Sequence, residues 1–271
     1  MTIEILHTGI LQGLILAIIA FGIMIPFRFL NFPDLTAEGA YPLGGAICAS
    51  LMIAGTSQMF SIIAGTIAGG VIATCTAQIA LRFKVNTLLA GIILSTMAYS
   101  INLRVMGKPN IALFDVNVMN FDITSLIMIV GLCVIPFALF LHTDFGLQFR
   151  AIGHNPKFAK HHNISASKYT SLGLFIAGAM FGLAGSLIIQ IQQFMDIGMG
   201  VGIAIHGLAG LMIGESIIGS NTIQKQLLAP IIGALIYQQI QGMALSFGLA
   251  PSDLKFFTGS IVLLVLAIQK I

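Results

Sequence analysis

Long apolar runs alternate with short polar breaks along almost the whole chain. About 20 mainly apolar residues are needed to carry a helix across a bilayer. Nine segments are candidates: residues 10–27, 41–54, 59–81, 85–101, 123–141, 169–191, 198–214, 227–247 and 254–268. Two of them are short. Segment 41–54 has 14 residues and sits beside Pro33, Asp34, Glu38 and Pro42, while segment 198–214 has 17 and contains His206. Both are expected to be half-helices or broken helices, which survive at membrane depth only when packed inside protein or lining a cavity. One break is far longer than the rest. It is a 27-residue polar island over 142–168, HTDFGLQFRAIGHNPKFAKHHNISASK.

Composition fixes the class. Hydrophobic residues make up 57% of the chain and charged residues 8%, against about 25% charged in a soluble domain. Lipid must therefore be the solvent for most of the surface. The expected fold is an all-α polytopic membrane protein of about 8–9 transmembrane helices, some short or broken, in one membrane domain over 1–271 with one cytoplasmic coupling loop over 142–168. No small-residue processing site closes the first apolar run, so no cleaved signal peptide is expected.

Charge sets the orientation. Alternating nine spans with the island inside places Arg28, Arg82, Lys84, Arg150, Lys157, Lys160, Lys168, Lys225 and Lys270 inside. Arg104, Lys108 and Lys255 fall outside. Cytoplasmic loops carry the excess of Lys and Arg, so the island faces the cytoplasm; the N-terminus lies outside when segment 41–54 crosses and inside when it does not. The basic residues are scattered through loops rather than gathered on a face, so no nucleic-acid partner is expected.

Thirty glycines indicate close helix crossings. Gly65/Gly69, Gly178/Gly182, Gly198/Gly202 and Gly210/Gly214 have the spacing that lets backbones approach, either inside one subunit or between two. Cys48, Cys75 and Cys133 read as small hydrophobes buried in helix contacts, with no disulfide framework. The adjacent His161 and His162 diverge by about 100° on a helix and do not share a metal easily, so no metal site is expected.

Motifs for several chemistries are missing. No G-x-x-x-x-G-K-[ST] occurs, so the chain does not bind ATP through a P-loop. No H-E-x-x-H or G-x-S-x-G occurs. Acidic residues are nearly absent from the spans, which argues against a proton-driven pump. Within the island, Asn155-Pro156 reads as a helix start, because Asn is a favoured N-cap and Pro at the first helical position loses no hydrogen bond. Asn163 reads as a stop. Gly153 gives the chain freedom to turn just ahead of this short helix, 156–162. Such a helix suits docking into a groove on a soluble protein; an ordinary re-entry loop is the alternative.

The run Arg150-Ala151-Ile152-Gly153-His154-Asn155-Pro156-Lys157-Phe158-Ala159 resembles the cytoplasmic loop of ABC importer permeases of the branched-chain amino-acid/ribose permease family. There it follows R-A-x-G-x-N-x-x-x-A-x-x-x-G-I. The match holds at Arg150, Ala151, Gly153, Asn155, Ala159 and Ile164 and departs at Asn163, where the family has Gly; Asn can hold the same left-handed turn. The run Asn31-Phe32-Pro33-Asp34-Leu35-Thr36-Ala37-Glu38-Gly39 is similar to an early D-L-T-x-E-G signature. Gln193-Phe194-Met195-Asp196-Ile197-Gly198-Met199-Gly200, followed by Gly207-Leu208-Ala209 and Ile213-Gly214-Glu215, resembles the late segments, with Gly198 where the family has Asn.

The resemblance implies the membrane-spanning permease subunit of an ABC importer, moving a small polar solute, an amino acid by subgroup, across the inner membrane. It implies no enzyme activity and no bound cofactor in this chain, since ATP is used by a partner. That partner is a cytoplasmic ATPase dimer gripping Arg150, Gly153, Asn155, Pro156, Lys157, Ala159, Asn163 and Ile164. An extracytoplasmic substrate-binding protein, a second permease copy in a homodimer and membrane lipid complete the set. The alternative class is a self-sufficient secondary transporter with broken helices, for which His206 is the clear ionisable group within a span. For the translocation path the candidates are Asp34, Glu38, Asn102, Arg104, Gln193 and Asp196. Asn102 and Arg104 end the fourth span and Gln190, Gln193 and Asp196 the sixth, at a depth suited to a zwitterion. Asp34 and Glu38 form an i, i+4 pair that either caps a short helix or borders the cytoplasmic mouth.

Overall fold

The computed structural model describes residues 2–155, 159, 161–250 and 253–269. Helix α1, Thr2–Met24, continues into a π-helical turn, Ile25–Phe29, opened by Pro26. Then come α2 (Ala37–Ile53), α3 (Gln58–Phe83) and α4 (Thr87–Met106). A short strand β1 (Asn110–Ala112) precedes α5 (Ile123–Leu141) and α6 (Asp144–His154). Helix α7 (Ala166–Gln192) leads to β2 (Phe194–Asp196) and a 3₁₀ turn, Ile197–Gly200. The chain ends with α8 (Ile203–Ile218), α9 (Ile223–Ser246) and α10 (Leu254–Gln269). Helices dominate because lipid offers no partner for a free N–H or C=O, and a helix satisfies its backbone internally.

Among the described residues, seven helical stretches are long and apolar enough to cross a membrane, fewer than the eight or nine expected from the sequence. Helices α2 and α10 fall short at 17 and 16 residues. The broken segments are real. Gly202, at φ +87°, separates the 3₁₀ turn from α8. Residues 30–36 ahead of α2 are non-helical apart from one turn residue.

The chain forms two compact units. The central unit holds residues 22–121 and 139–201. Its core is a set of glycine contacts between α2, α3 and α7. A Cβ on Gly69 would lie 2.3 Å from the Gly178 carbonyl oxygen, and one on Gly182 2.4 Å from that of Gly65. The glycine pairs of α3 and α7 thus serve packing within the chain, and any side chain would force the helices apart. Strands β1 and β2 pair antiparallel, Asn110 opposite Asp196, at one end of this unit. The α3–α4 turn and α6 lie at the other end. The α3–α4 turn is closed by left-handed Lys84 and by Asn86, whose side chain accepts from the Leu88 amide at 2.9 Å. Arg28, Arg82, Lys84, Arg150 and Lys168 belong to the α6 end, Arg104 and Lys108 to the strand end.

Residues 30–36 do for α2 what its length cannot. The Ser95 hydroxyl donates to the Leu35 carbonyl at 3.0 Å, and the Thr36 and Thr76 hydroxyls lie 2.8 Å apart. Thr76 and Ser95 stand eight and nine residues from the α3–α4 turn, or about 12 Å at the helical rise. The extended segment therefore climbs that distance from the α6 end before α2 begins. With about 25 Å from α2 itself, the pair covers the roughly 30 Å of a hydrocarbon core.

The terminal unit holds residues 1–21, 122–138 and 202–271. Helices α8 and α9 touch through backbone. A Cβ on Gly214 would lie 1.8 Å from the Ala229 carbonyl oxygen, and one on Gly233 1.8 Å from that of Gly210. Phe21 packs edge-on against Phe137, and the Tyr237 hydroxyl meets that of Thr258 at 2.5 Å. Among the cysteines only Cys48 is buried; Cys133 is half-buried and Cys75 is exposed. The burial expected of all three fails at Cys75 because α3 presents one side outward beside exposed Val71.

Candidate functional site

Two places in the central unit gather the residues singled out from the sequence. The first is the α6 end. Thr143 caps α6, its hydroxyl accepting from the Gly146 amide at 3.3 Å. Gly146, Phe149 and Ile152 form the buried face. The Phe149 ring stands 5.7 Å from Phe140 and 6.5 Å from Phe29. Gly153 lies in the last turn of this helix rather than in a flexible turn ahead of the next one. Its role is close approach: a Cβ there would sit 2.1 Å from the Phe29 carbonyl oxygen and 3.1 Å from Leu30 Cα. Arg150 ties the same helix to α5, its Nη2 donating to the Leu141 carbonyl at 3.4 Å.

Beyond α6 the Asn155 amide donates to Ala151 at 2.9 Å, and the Asn155 carbonyl accepts from the Ala159 amide at 3.1 Å. Ala159 is fully buried. The Ile164 amide returns to the Ala159 carbonyl at 2.9 Å across Asn163, which is left-handed at φ +57° as its residue type suggests. Pro156 and Lys157 lie outside the described residues. His154, Asn155, His161, His162 and Asn163 are exposed, and so are Phe145 and Leu147 of α6. Two apolar anchors beside a polar rim make a surface suited to a protein partner.

The second place is a cavity of about 240 Å³ whose polar lining is Glu38, Ser95, Thr96, Tyr99 and Asn102, with Pro42, Ile197 and Val201 as its apolar side. Asn102 is 1% exposed, yet neither its amide oxygen nor its amide nitrogen has a hydrogen-bond partner. Leaving a buried polar group unpaired costs about 1–3 kcal/mol. The 3₁₀ turn closes the cavity because Gly200 lies against the Glu38 carbonyl, where a Cβ would come within 2.1 Å.

Of the six path candidates only Glu38 and Asn102 meet. Asp34 lies toward the α6 end. One of its oxygens accepts from the Thr36 amide at 2.9 Å and from the Thr36 hydroxyl, and the other has no hydrogen-bond partner. Arg104 is exposed. Gln193 closes α7 in the left-handed region at φ +58°, and its carbonyl accepts from the Leu113 amide at 2.8 Å. Asp196 accepts from the Gly198 amide at 2.7 Å and the Asn110 side chain at 3.3 Å, so it organises the 3₁₀ turn. Gln190 is buried and accepts from the Met119 amide at 3.0 Å. Sequence reasoning missed Ser95, Thr96 and Tyr99. The signal was there, since Ser95, Tyr99 and Asn102 follow i, i+4, i+7 along one helix face. In the terminal unit, His206 lies 2.7 Å from the Gly202 carbonyl through Nδ1, a local bond at the start of α8.

A family model described as branched-chain amino acid transport system, permease component, matches residues 5–267. A tyrosine transport system permease protein of Clostridioides difficile is 35% identical over 260 residues, 94% of this chain and 88% of that protein. An uncharacterised protein of Rickettsia prowazekii is 32% identical over 98% of both chains. A nucleoside ABC transporter permease protein of Lactococcus lactis is 27% identical over 53% of this chain and 38% of its own length. No solved structure matches. With membrane-length helices along its course and a family model matched over nearly its whole length, this multi-pass chain of the cell membrane belongs to the permease components of branched-chain amino-acid transport systems.

Proposed function

We propose that the chain is the membrane-spanning subunit of an ATP-driven importer for amino acids, tyrosine foremost, as the name of the C. difficile relative suggests. ATP hydrolysis is assigned to a separate cytoplasmic ATPase dimer, delivery to an extracytoplasmic binding protein, and the path to two copies of this chain. A dimeric ATPase offers two grooves and each permease one coupling segment, so symmetry favours a homodimer.

The observation that carries this reading is the seating of Gly153 on the Phe29 carbonyl. A partner pulling on the exposed surface of His154, Asn155 and Asn163 moves a helix whose other face is locked to Phe29 and Leu30. Residues 30–36 run from there to α2, where Glu38 lines the polar cavity. ATP binding would shift the permease between inward and outward states only by contacting this surface differently in each. Glu38 and Asn102 are proposed as path residues in the middle of the route, with Asp34 toward the cytoplasmic end and Arg104, Gln193 and Asp196 toward the outer end. The test is ATPase stimulation by the reconstituted chain. Asn155→Leu should leave the protein inserted and lower the stimulation; equal stimulation in variant and parent would remove the docking role.

A further inference from the structure

Helices α3 and α7 of the central unit run antiparallel, Gly65 against Gly182 and Gly69 against Gly178. Their outward seam changes character toward the α6 end. Val71, Cys75, Gln78 and Arg82 succeed one another on one face of α3, and all are exposed. On α7 the facing residues are Lys168, Leu172 and Phe175, also exposed. Phe175 seals the floor of the seam against Gly70, where a Cβ would lie 2.8 Å from its ring. Across the seam Gln78 Nε2 donates to the Ser171 hydroxyl at 2.8 Å. That bond fixes the register. Arg82 stands one turn beyond Gln78 and Lys168 almost one turn before Ser171, so two cations from two helices converge at one level. Lys84, left-handed and exposed, adds a third just past α3. Neither helix contains an Asp or Glu. Among the described residues none of the three cations has a side-chain partner.

We propose that the outward seam of α3 and α7 binds one anionic phospholipid of the cytoplasmic leaflet. The phosphodiester lies among Arg82, Lys84 and Lys168, since basic pockets between helices on the cytoplasmic side take acidic head groups. One turn deeper, the Ser171 hydroxyl and the second Nε2 hydrogen of Gln78 donate to the glycerol ester carbonyls. An acyl chain then follows Cys75, Val71, Leu172 and Phe175. From Arg82 to Val71 the helix rises about 16 Å, the depth of one leaflet of a roughly 30 Å core. A phosphatidylethanolamine would bring its ammonium beside three cations, with no carboxylate on either helix to receive it. The excess of Lys and Arg in cytoplasmic loops explains why cations lie at this end. It does not explain a hydrogen-bonded amide and hydroxyl facing lipid one turn inside them. The site stands apart from the importer reading and does not depend on it.

The chain contains no Trp, so Leu172→Trp places a single indole in the seam. Ile135→Trp, at an exposed position of α5 near its Leu141 end, is the control. Each full chain is reconstituted into phosphatidylcholine vesicles with added phosphatidylglycerol or phosphatidylethanolamine carrying brominated acyl chains. Quenching of the indole gives the relative affinity of the two lipids. At Leu172→Trp phosphatidylglycerol should be preferred by at least about fivefold, the factor that one cation near an acidic head group contributes. At Ile135→Trp the two lipids should quench alike. Adding Arg82→Gln and Lys168→Gln should bring the seam to the control ratio while both lipids still quench, which reports an inserted chain. Lys168→Arg keeps the charge and should keep the preference. Inorganic phosphate added at constant ionic strength should leave the ratio unchanged. Equal ratios at the two positions, a preference that survives the loss of both cations, or displacement by inorganic phosphate would each overturn the lipid site, the last by marking a site for a free anion.

Discussion

Replacing Gly153 by alanine adds one methyl group where α6 meets the Phe29 carbonyl. The new carbon would lie 2.1 Å from that oxygen, more than an ångström inside ordinary contact. The obstacle is backbone, so a side-chain rotation cannot relieve it. Overpacking of this kind costs about 1–3 kcal/mol. Alanine returns about 1 kcal/mol through its better helix propensity. The net loss is about 0–2 kcal/mol, and a change of one or two kcal/mol shifts an equilibrium roughly 5- to 30-fold. The cheapest relief is to unseat α6, so the loss should fall on coupling rather than on global stability. Gly131 of α5 is the control, because a Cβ there would meet only Ile135 Cδ1 at 3.8 Å. Both variants are assembled with the ATPase and binding protein in vesicles, and ATP hydrolysed per solute imported is compared with thermal unfolding. Gly153→Ala should waste ATP at a nearly parental melting temperature, and Gly131→Ala should match the parent in both. Equal coupling in the two variants would refute the close-approach reasoning.

Three further outcomes follow from the same geometry. Asn163→Gly should keep coupling, whereas Asn163→Val should lose it, because a β-branched residue in the left-handed region costs about 1–2 kcal/mol or more; the measurement is again ATP per solute. Gly214→Ala should destabilise the chain by about 1–3 kcal/mol, since its Cβ would lie 1.8 Å from the Ala229 carbonyl oxygen; denaturant titration reads this, and unchanged stability would contradict the α8–α9 packing. In a background with Cys48, Cys75 and Cys133 replaced, Asp115→Cys should react with an impermeant thiol reagent added outside intact cells and Lys168→Cys should not; the reverse pattern would invert the orientation.

The period and length of the apolar runs were enough to read the class and the weakness of the 41–54 and 198–214 segments. Both breaks have local causes visible in the chain, Pro33 and Asp34 before α2 and the glycines around Gly202 before α8. The left-handed turn at Asn163 was legible because few residue types tolerate it. The meeting of Glu38 with Asn102 was not, because it depends on how α2 crosses α4. A face pattern at i, i+4, i+7 marks Ser95, Tyr99 and Asn102 as neighbours without saying what they face. The reason for glycine at position 153 was half visible: the need for a small residue shows in the sequence, but the Phe29 carbonyl that imposes it lies more than a hundred residues away. The length of α6 was hidden in the polar island, where charge masks the buried face of Gly146, Phe149 and Ile152.

The central claim is that an external ATPase drives solute through this chain. The most direct measurement is tyrosine accumulation in vesicles carrying the chain, with and without the ATPase and binding protein, under an imposed pH gradient or with the gradient collapsed. Accumulation should require ATP and both partners and should survive collapse of the gradient. Accumulation by the chain alone, driven by the pH gradient and abolished by His206→Ala, would contradict the account and establish a secondary transporter in its place.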